Sequence, residues 1–486
     1  MKSVFIKEQK RYTPKELRGL LECSEDELLL VLQRLKESGI LKACRTSELY
    51  KDLSVLQEDD FEETGETDGG DFVYIFHFVG VIAVSRWILK CYPKYVVKDK
   101  KPREHLKQVM KVLEKYNSRN QTLHMFYDIN ENKAFNRLTV LWFLLTDYFE
   151  NGSYMNTKEI IETNGTGEVS WDRTIPGTDA FFVRNRPYYM DLKTQRRITN
   201  DNDYCKRLHE CIVSLVSREL KDTDLLYIFG ISEIDVSDEK LEDFGDTEEI
   251  LRRIEHELNL QFVTRKQMVL KAIHTYVSHG GSLAENDAVS LFGTSSFYRV
   301  WEEVCADIFD NKLYSLLGNL DLPVPLCEGY SQNERLIDLI EKPYWSASGM
   351  EAKDTLIPDL VTVYNSGGSS QFLIFDAKYY VPVLNKGETP KDQPGIESVT
   401  KQYLYQLAFQ RFVQDHKFQV IRNCFLLPAE DGKITDKGYV SMPMLDGLGL
   451  QKICVRFIPA DLAYSRYLAS EKIDMNMLVI GEPDTG

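Results

Sequence analysis

The chain has 486 residues, 43% hydrophobic and 28% charged, an ordinary globular composition too long for one compact core, so about two to four domains are expected. No run of about 18 apolar residues occurs, and the opening MKSVFIKEQKRY lacks the apolar core of a secretion signal; both predict a cytoplasmic chain without a membrane partner. A net charge of −16 and a pI near 5.2 give an average field that repels the phosphates of duplex DNA, so any nucleic-acid chemistry needs a local basic surface or a partner, and the sequence favours the partner.

Residues 12–48 predict two short helices and a strand. Thr13 is an N-cap with Pro14 at the first helical position and Glu16 completing a capping box; Leu17, Leu20 and Leu21 form the apolar face. Ser24 caps a second helix, with Glu27 closing its box and Leu28, Val31, Leu32 and Leu35 on one stripe. Ser38-Gly39 stops it, and a strand starts at Ile40. This is a winged-helix pattern, or a plain helical hairpin. Its acidic second helix, with Glu25, Asp26, Glu27 and Glu37, makes a poor major-groove reader. The segment EDDFEETGETDGGD, 58–71, is aperiodic and acidic and predicts a solvated loop inside a wing hairpin that resumes at Phe72.

Residues 72–97 are β-rich, with Gly80 predicted at a turn or bulge. Helices are predicted over about 103–117 and 135–150, with a loop around Asn164–Gly167. Phe78-Val79-Gly80-Val81-Ile82, then Leu89 to Tyr95 with Pro93-Lys94, and Gly167-Glu168-Val169-Ser170-Trp171-Asp172-Arg173-Thr174-Ile175 resemble the LlaJI and McrC families, nuclease subunits of restriction systems. Asp203 and Arg207-Leu208-His209 extend that resemblance. It implies that this region docks onto a separate McrB-like AAA+ GTPase or ATPase. From the residues alone, Asp172 and Arg173 equally suit a local salt bridge, and His209 reads as packed on a helix. Residues 203–285 predict a helical scaffold with a charged connector at 237–249. The nine cysteines are scattered without a CxxC pair, which predicts reduced thiols and no zinc site.

Phe297–Phe309 predicts a helix with Val300, Trp301, Val304, Cys305 and Ile308 as its core stripe. At about 100° per residue, Glu302 and Glu303 flank that stripe symmetrically, and periodicity does not choose between them. Leu356 to Tyr380 then predicts two strands around the turn Asn365-Ser-Gly-Gly-Ser-Ser. One acid, Asp359, follows Pro358. The other, Asp376, ends the apolar run Phe372–Phe375, which has the continuity of a strand buried on both faces. Alternation puts Asp376 and Lys378 on the same face. Two carboxylates and an ammonium converging at strand ends suit a divalent cation, since carboxylate oxygens favour Mg²⁺ and a lysine can hold a water. The alternative is a surface hairpin with solvated acids. Val399 to Phe409 predicts the next helix, with Gln402 and Tyr405 on one face, and the Pro/Gly-rich stretch 381–398 predicts a DNA-facing flap carrying Lys386 and Lys391. Strands follow at Val420–Leu427 and Ile453–Phe457, and the tail after Ile480 predicts fraying.

Pro358-Asp359 followed by Asp376-Ala377-Lys378 resembles the PD-(D/E)XK nuclease pattern, and the 399–409 helix resembles the Q-x-x-Y helix of restriction-type members. The resemblance implies Asp359, Asp376 and Glu302, or its neighbour Glu303, around Mg²⁺ or Mn²⁺. It implies Lys378 steering a water, Gln402 as a catalytic residue hydrogen-bonding the site's carboxylate or a phosphate, Tyr405 packing near the backbone, double-stranded DNA as substrate and 5′-phosphate products. The expected architecture is α+β and multidomain: 1–76 winged-helix-like with the 58–71 loop, 77–285 an α/β docking and helical scaffold region, and 286–486 a restriction-endonuclease-like mixed sheet flanked by helices. The chain has no GxxxxGK[ST] loop, which leaves nucleotide hydrolysis to the partner. A stand-alone Type II-like endonuclease and a non-catalytic nuclease-fold adaptor are the competing readings.

Overall fold

The structure is a computed structural model and describes residues 1–45, 72–98, 102–120, 136–200, 202–280, 289–366, 369–430 and 432–478. The predicted loop at 58–71 and the tail after Ile480 lie outside these residues. The fold is mixed α/β and falls into two compact units, one of residues 1–135, 228–230 and 288–486, the other of residues 136–227 and 231–287.

In the first unit, both predicted capping boxes form. Thr13 caps Pro14–Leu21 and Ser24 caps Glu25–Glu37, each hydroxyl accepting from the N–H three residues on and each Glu side chain reaching back. Their leucines pack on a small antiparallel sheet in which Phe72–Phe76 lies between Arg11–Tyr12 and Leu41–Arg45. A four-stranded mixed sheet follows. Lys2–Lys7 pairs in parallel with Trp87–Tyr92, which pairs antiparallel with Val79–Val84, and Ser290–Thr294 closes the far edge. Gly80 is neither turn nor bulge. It lies within the Val79–Val84 strand at φ +140, facing Gly293 at φ +157, and a Cβ at Gly80 would stand 2.2 Å from the Phe292 carbonyl oxygen. Two glycines are needed there because the two backbones approach too closely for side chains.

Ser290–Thr294 leads directly into the Phe297–Ile308 helix, which buries Phe297, Val300, Trp301, Val304, Cys305 and Ile308. Each large apolar side chain so removed from water contributes about 1.5–3 kcal/mol, enough to fix the helix rotation. It belongs to the layer around a five-stranded mixed sheet. Leu360–Ser366 at the edge pairs antiparallel with Ser369–Ala377, and Val420–Ala429 and Ile453–Pro459 continue in parallel. Thr435–Val440 closes antiparallel. Ser369–Ala377 is an inner strand, buried from Phe372 to Ala377, which accounts for its unbroken apolar run. The Ile396–Asp415 helix packs Phe409, Phe412 and Val413 against Phe372 and Ile374 of that strand.

Among the described residues, the second unit holds an antiparallel sheet of Thr157–Thr163, Lys193–Thr199 and Glu168–Val169, a hairpin of Ala180–Val183 with Arg186–Tyr189, and the long helices Arg137–Asn151, Tyr204–Asp222, Thr247–Leu260 and Thr264–Ser278. His209 is packed: it is fully buried, with Nδ1 accepting from the Tyr154 N–H at 2.9 Å. All nine cysteines are free thiols, six of them buried.

Candidate active site

Asp359 stands at the entrance of the Leu360–Ser366 strand and Asp376 one residue before the end of its antiparallel neighbour, where Leu360 pairs with Phe375. That register brings the two carboxyls together although they lie 17 positions apart in the sequence. The Asp359 carboxylate accepts from the Ala377 N–H at 2.9 Å, so the loop leaving the inner strand is tied back to the acid beside it. Lys378 Nζ lies 3.0 Å from Asp376 Oδ1 and 3.9 Å from Asp359 Oδ2. Burial, then a hydrogen bond with Asp359 and its charge, push the Asp376 carboxyl well above the usual carboxylate range. Burial alone would depress the Lys378 ammonium, but Asp376 and Asp359 outweigh it and raise the group to about 12.

Of the two neighbouring glutamates, Glu302 lines the same cavity as Ala377 and Lys378, a cleft of about 820 Å³. Burial and the nearby charge of Asp359 push its carboxyl up to about 7. The helix rotation that decides this is fixed by Trp301, whose indole N–H donates to the Leu426 carbonyl at 3.1 Å. The same carbonyl accepts from the backbone N–H of Lys378 at 3.0 Å. One backbone oxygen therefore sets both the Glu302 helix and the lysine against the Val420–Ala429 strand.

Gln402 and Tyr405 face the sheet from the Ile396–Asp415 helix, and both bind backbone, so the amide of Gln402 meets a buried carbonyl and not the site's carboxylate or a phosphate as expected. Gln402 is fully buried and its amide donates to the Ile374 carbonyl at 3.0 Å, two residues ahead of Asp376. Tyr405 donates its hydroxyl proton to the Ile357 carbonyl at 3.1 Å, two residues ahead of Asp359. Burial and then the two aspartates raise the Tyr405 phenol to about 12, which keeps it a donor. The helix thus braces both acid-bearing segments.

Three further groups went unmarked in the sequence. Asn311 donates to the Asp359 carbonyl at 3.2 Å and accepts from the Val361 N–H at 3.1 Å, clamping the strand entrance to the end of the Glu302 helix. Its only local signal is the helix stop beside Asp310, at φ +55. Tyr379, directly after Lys378, donates its hydroxyl to the buried carboxylate of Glu8 at 2.5 Å, which also accepts from the Lys94 N–H at 3.1 Å. Among the described residues, no group of three or more His, Cys, Asp or Glu side chains is drawn together as a metal-holding set. As placed, Lys378 is the counter-ion of the two aspartates.

The molecule is thus a mixed-sheet α/β protein with acids and a lysine gathered at strand ends. Its sequence matches the profile of the LlaJI restriction endonuclease family over residues 78–325 and 327–459, well over half of the chain, and the chain belongs to that family. A curated relative, the "Type II restriction enzyme BsuMI component YdjA" of Bacillus subtilis (strain 168), is 26% identical over 437 residues, covering 87% of this chain and 85% of that protein. Among solved structures, a chain of the Thermococcus gammatolerans half-complex of McrB AAA+ hexamers with bound McrC aligns over 96% of this chain and 99% of its own, at 14% identity and a TM-score of 0.38. A chain of the cryo-EM structure of the McrBC complex from the same organism aligns over 57% of this chain and 80% of its own, at 13% identity and a TM-score of 0.23. Those scores are too low to establish a shared overall arrangement. Among the described residues, no helix is long and apolar enough to cross a membrane.

Proposed function

We propose that this chain is the DNA-cutting subunit of a restriction system, that residues 286–486 carry a PD-(D/E)XK nuclease fold, and that Asp359, Asp376, Lys378 and Glu302 hydrolyse a phosphodiester bond of double-stranded DNA. The observation that carries the reading is that Lys378, which shares a cleft with Glu302, lies 3.0 Å from Asp376 and 3.9 Å from Asp359, with the segments bearing these groups braced by Trp301, Asn311 and the Gln402–Tyr405 helix. Membership of a restriction endonuclease family supplies the reaction class.

The donor set fits a hard divalent cation. All three acids offer only oxygen, and burial together with the nearby charge of Asp359 holds Asp376 and Glu302 protonated further up the pH scale than free carboxyls, a cost that a cation would relieve. Asp359, Asp376 and Glu302 would hold Mg²⁺ or Mn²⁺, with the Ala377 carbonyl as a further candidate. When bound, the ion supplies charge stabilisation on the phosphate oxygens and the leaving group. Lys378 orients the attacking water from its seat beside Asp376. Gln402 and Tyr405 keep the acid-bearing segments in register.

We further propose that an AAA+ motor of the McrB type delivers the DNA. Two things support it: the relative is described as one component of a restriction enzyme, and the second unit displays apolar side chains that a partner could cover. In the Trp171–Gly177 helix only Thr174 is buried, anchored by the Lys193 N–H, while Trp171 and Ile175 face outward; Phe181 and Phe182 of the hairpin are 60% and 69% exposed. The described residues 1–45 and 72–76 suit a winged-helix reading, for which protein contact fits the acidic second helix better than a DNA groove.

The test is cleavage of unmodified and methylated duplex DNA with Mg²⁺, with and without the motor. Asp376→Ala is expected to lower the rate by at least about 10²–10³-fold while the far-ultraviolet circular dichroism stays unchanged. Undiminished cleavage by that variant would sink the site. Sequence-specific cutting by the pure chain would favour the stand-alone enzyme instead.

A further inference from the structure

The cleft has a second wall that the nuclease reading does not use. It takes in the corner Lys7–Lys10 between the first two strands, with His77 and Lys94, which line the same cleft as Glu302, Ala377 and Lys378. Four lysines, Lys7, Lys10, Lys94 and Lys378, line it alongside three acids, Glu8, Glu302 and Asp392, and of the four only Lys378 is already the counter-ion of Asp359 and Asp376. Of those acids, Glu8 is buried and already engaged by the Tyr379 hydroxyl and the Lys94 N–H. In a chain of net charge −16, such a concentration runs against the mean field.

The corner is also held rigidly. Lys2–Lys7 is paired with Trp87–Tyr92, the Glu8 N–H donates to the Tyr92 carbonyl and the Gln9 N–H to the Phe76 carbonyl, both at 2.9 Å. Gln9 itself takes a left-handed turn at φ +56. Lys94 Nζ is fixed by Gln9 Oε1 at 2.8 Å and lies 4.7 Å from the Tyr379 ring centre. Ammonium groups on a fixed scaffold at one side of a cleft are point charges suited to phosphate, without the fork geometry that reads a base edge.

We propose that the Lys7–Lys10 corner with Lys94 binds the phosphodiester backbone flanking the bond to be cut, so that the first strand of the chain is part of the substrate cleft. The proposal rests on the nuclease reading for the identity of the cut strand. It predicts affinity without sequence preference, because the wall offers charge and no base-reading pattern.

The experiment measures binding of the full chain to a duplex oligonucleotide at a series of KCl concentrations, with Ca²⁺ replacing Mg²⁺. Lys7→Ala/Lys10→Ala is expected to reduce the slope of log K against log salt by about 1–2 and to weaken binding about tenfold or more at low salt, equally for unrelated sequences. Lys10→Glu alone, at an exposed position, should weaken it in the same direction, and Lys10→Arg should retain it. An unchanged slope and affinity in both loss variants, or a wild-type chain that binds no duplex at low salt, overturns the proposal. Asp376→Ala separates the two readings. Loss of cutting with retained lysine-dependent binding supports both, whereas lysine-dependent binding by a wild-type chain that never cuts leaves the wall standing and removes the nuclease.

Discussion

Glu302 ties the site to pH. A free glutamate titrates near 4.5, and burial with Asp359 nearby moves the folded group to about 7. Between these values the folded protein keeps a proton that the unfolded chain has released, so stability falls as pH rises across that window and the loss is complete above about 7. After discounting for its partial exposure, this group should cost roughly 1–2 kcal/mol between pH 4.5 and 8. Urea unfolding of the metal-free protein is expected to show that decline, and Glu302→Gln is expected to be the more stable form at pH 8 and to have a flatter profile. Parallel profiles for the two proteins would refute the assignment. Asp359, Asp376 and Lys378 were legible as a group because strand alternation and a turn place them with no knowledge of the rest of the fold. Glu302 was not separable from Glu303, since both flank the buried stripe equally and the deciding contact, Trp301 with Leu426, comes from another strand.

Individual elements followed their local chemistry closely. Two capping boxes, the Phe297–Ile308 stripe and the unbroken apolar strand before Asp376 all formed where their spacing put them. Gly80 went astray because a glycine inside a β-run has the same local signature whether it bends the chain or admits a second backbone, and Gly293 lies 213 residues away. The shared carbonyl of Leu426 makes a testable claim at this level. Trp301→Phe removes one donor and leaves a small void. It is expected to cost about 1–3 kcal/mol in urea unfolding and to slow cleavage with little change in DNA affinity, because the Glu302 helix loses its registration to the lysine. If stability drops while the cleavage rate is untouched, the indole merely packs.

Across the whole molecule, composition and placement of charge pull in opposite directions: an acidic chain gathers lysines at one cleft and shows bare aromatic side chains elsewhere. In the second unit, Phe181→Ser/Phe182→Ser is expected to leave the melting temperature within about a degree, since surface substitutions usually cost little. The same change should abolish co-elution with an AAA+ partner on size exclusion; persistent co-elution would assign the hairpin another purpose. Neither the lysine-lined cleft nor this patch was legible beforehand, because each collects residues that only tertiary folding makes neighbours. The buried bond from Tyr379 to Glu8 spans 371 positions, with the entire second unit threaded between its ends. Closing so long a loop forfeits chain entropy before any contact rewards it, so this latch belongs among the last events of folding. A polypeptide still short of that step would own its acids and its lysine yet lack the joined lining of the cleft.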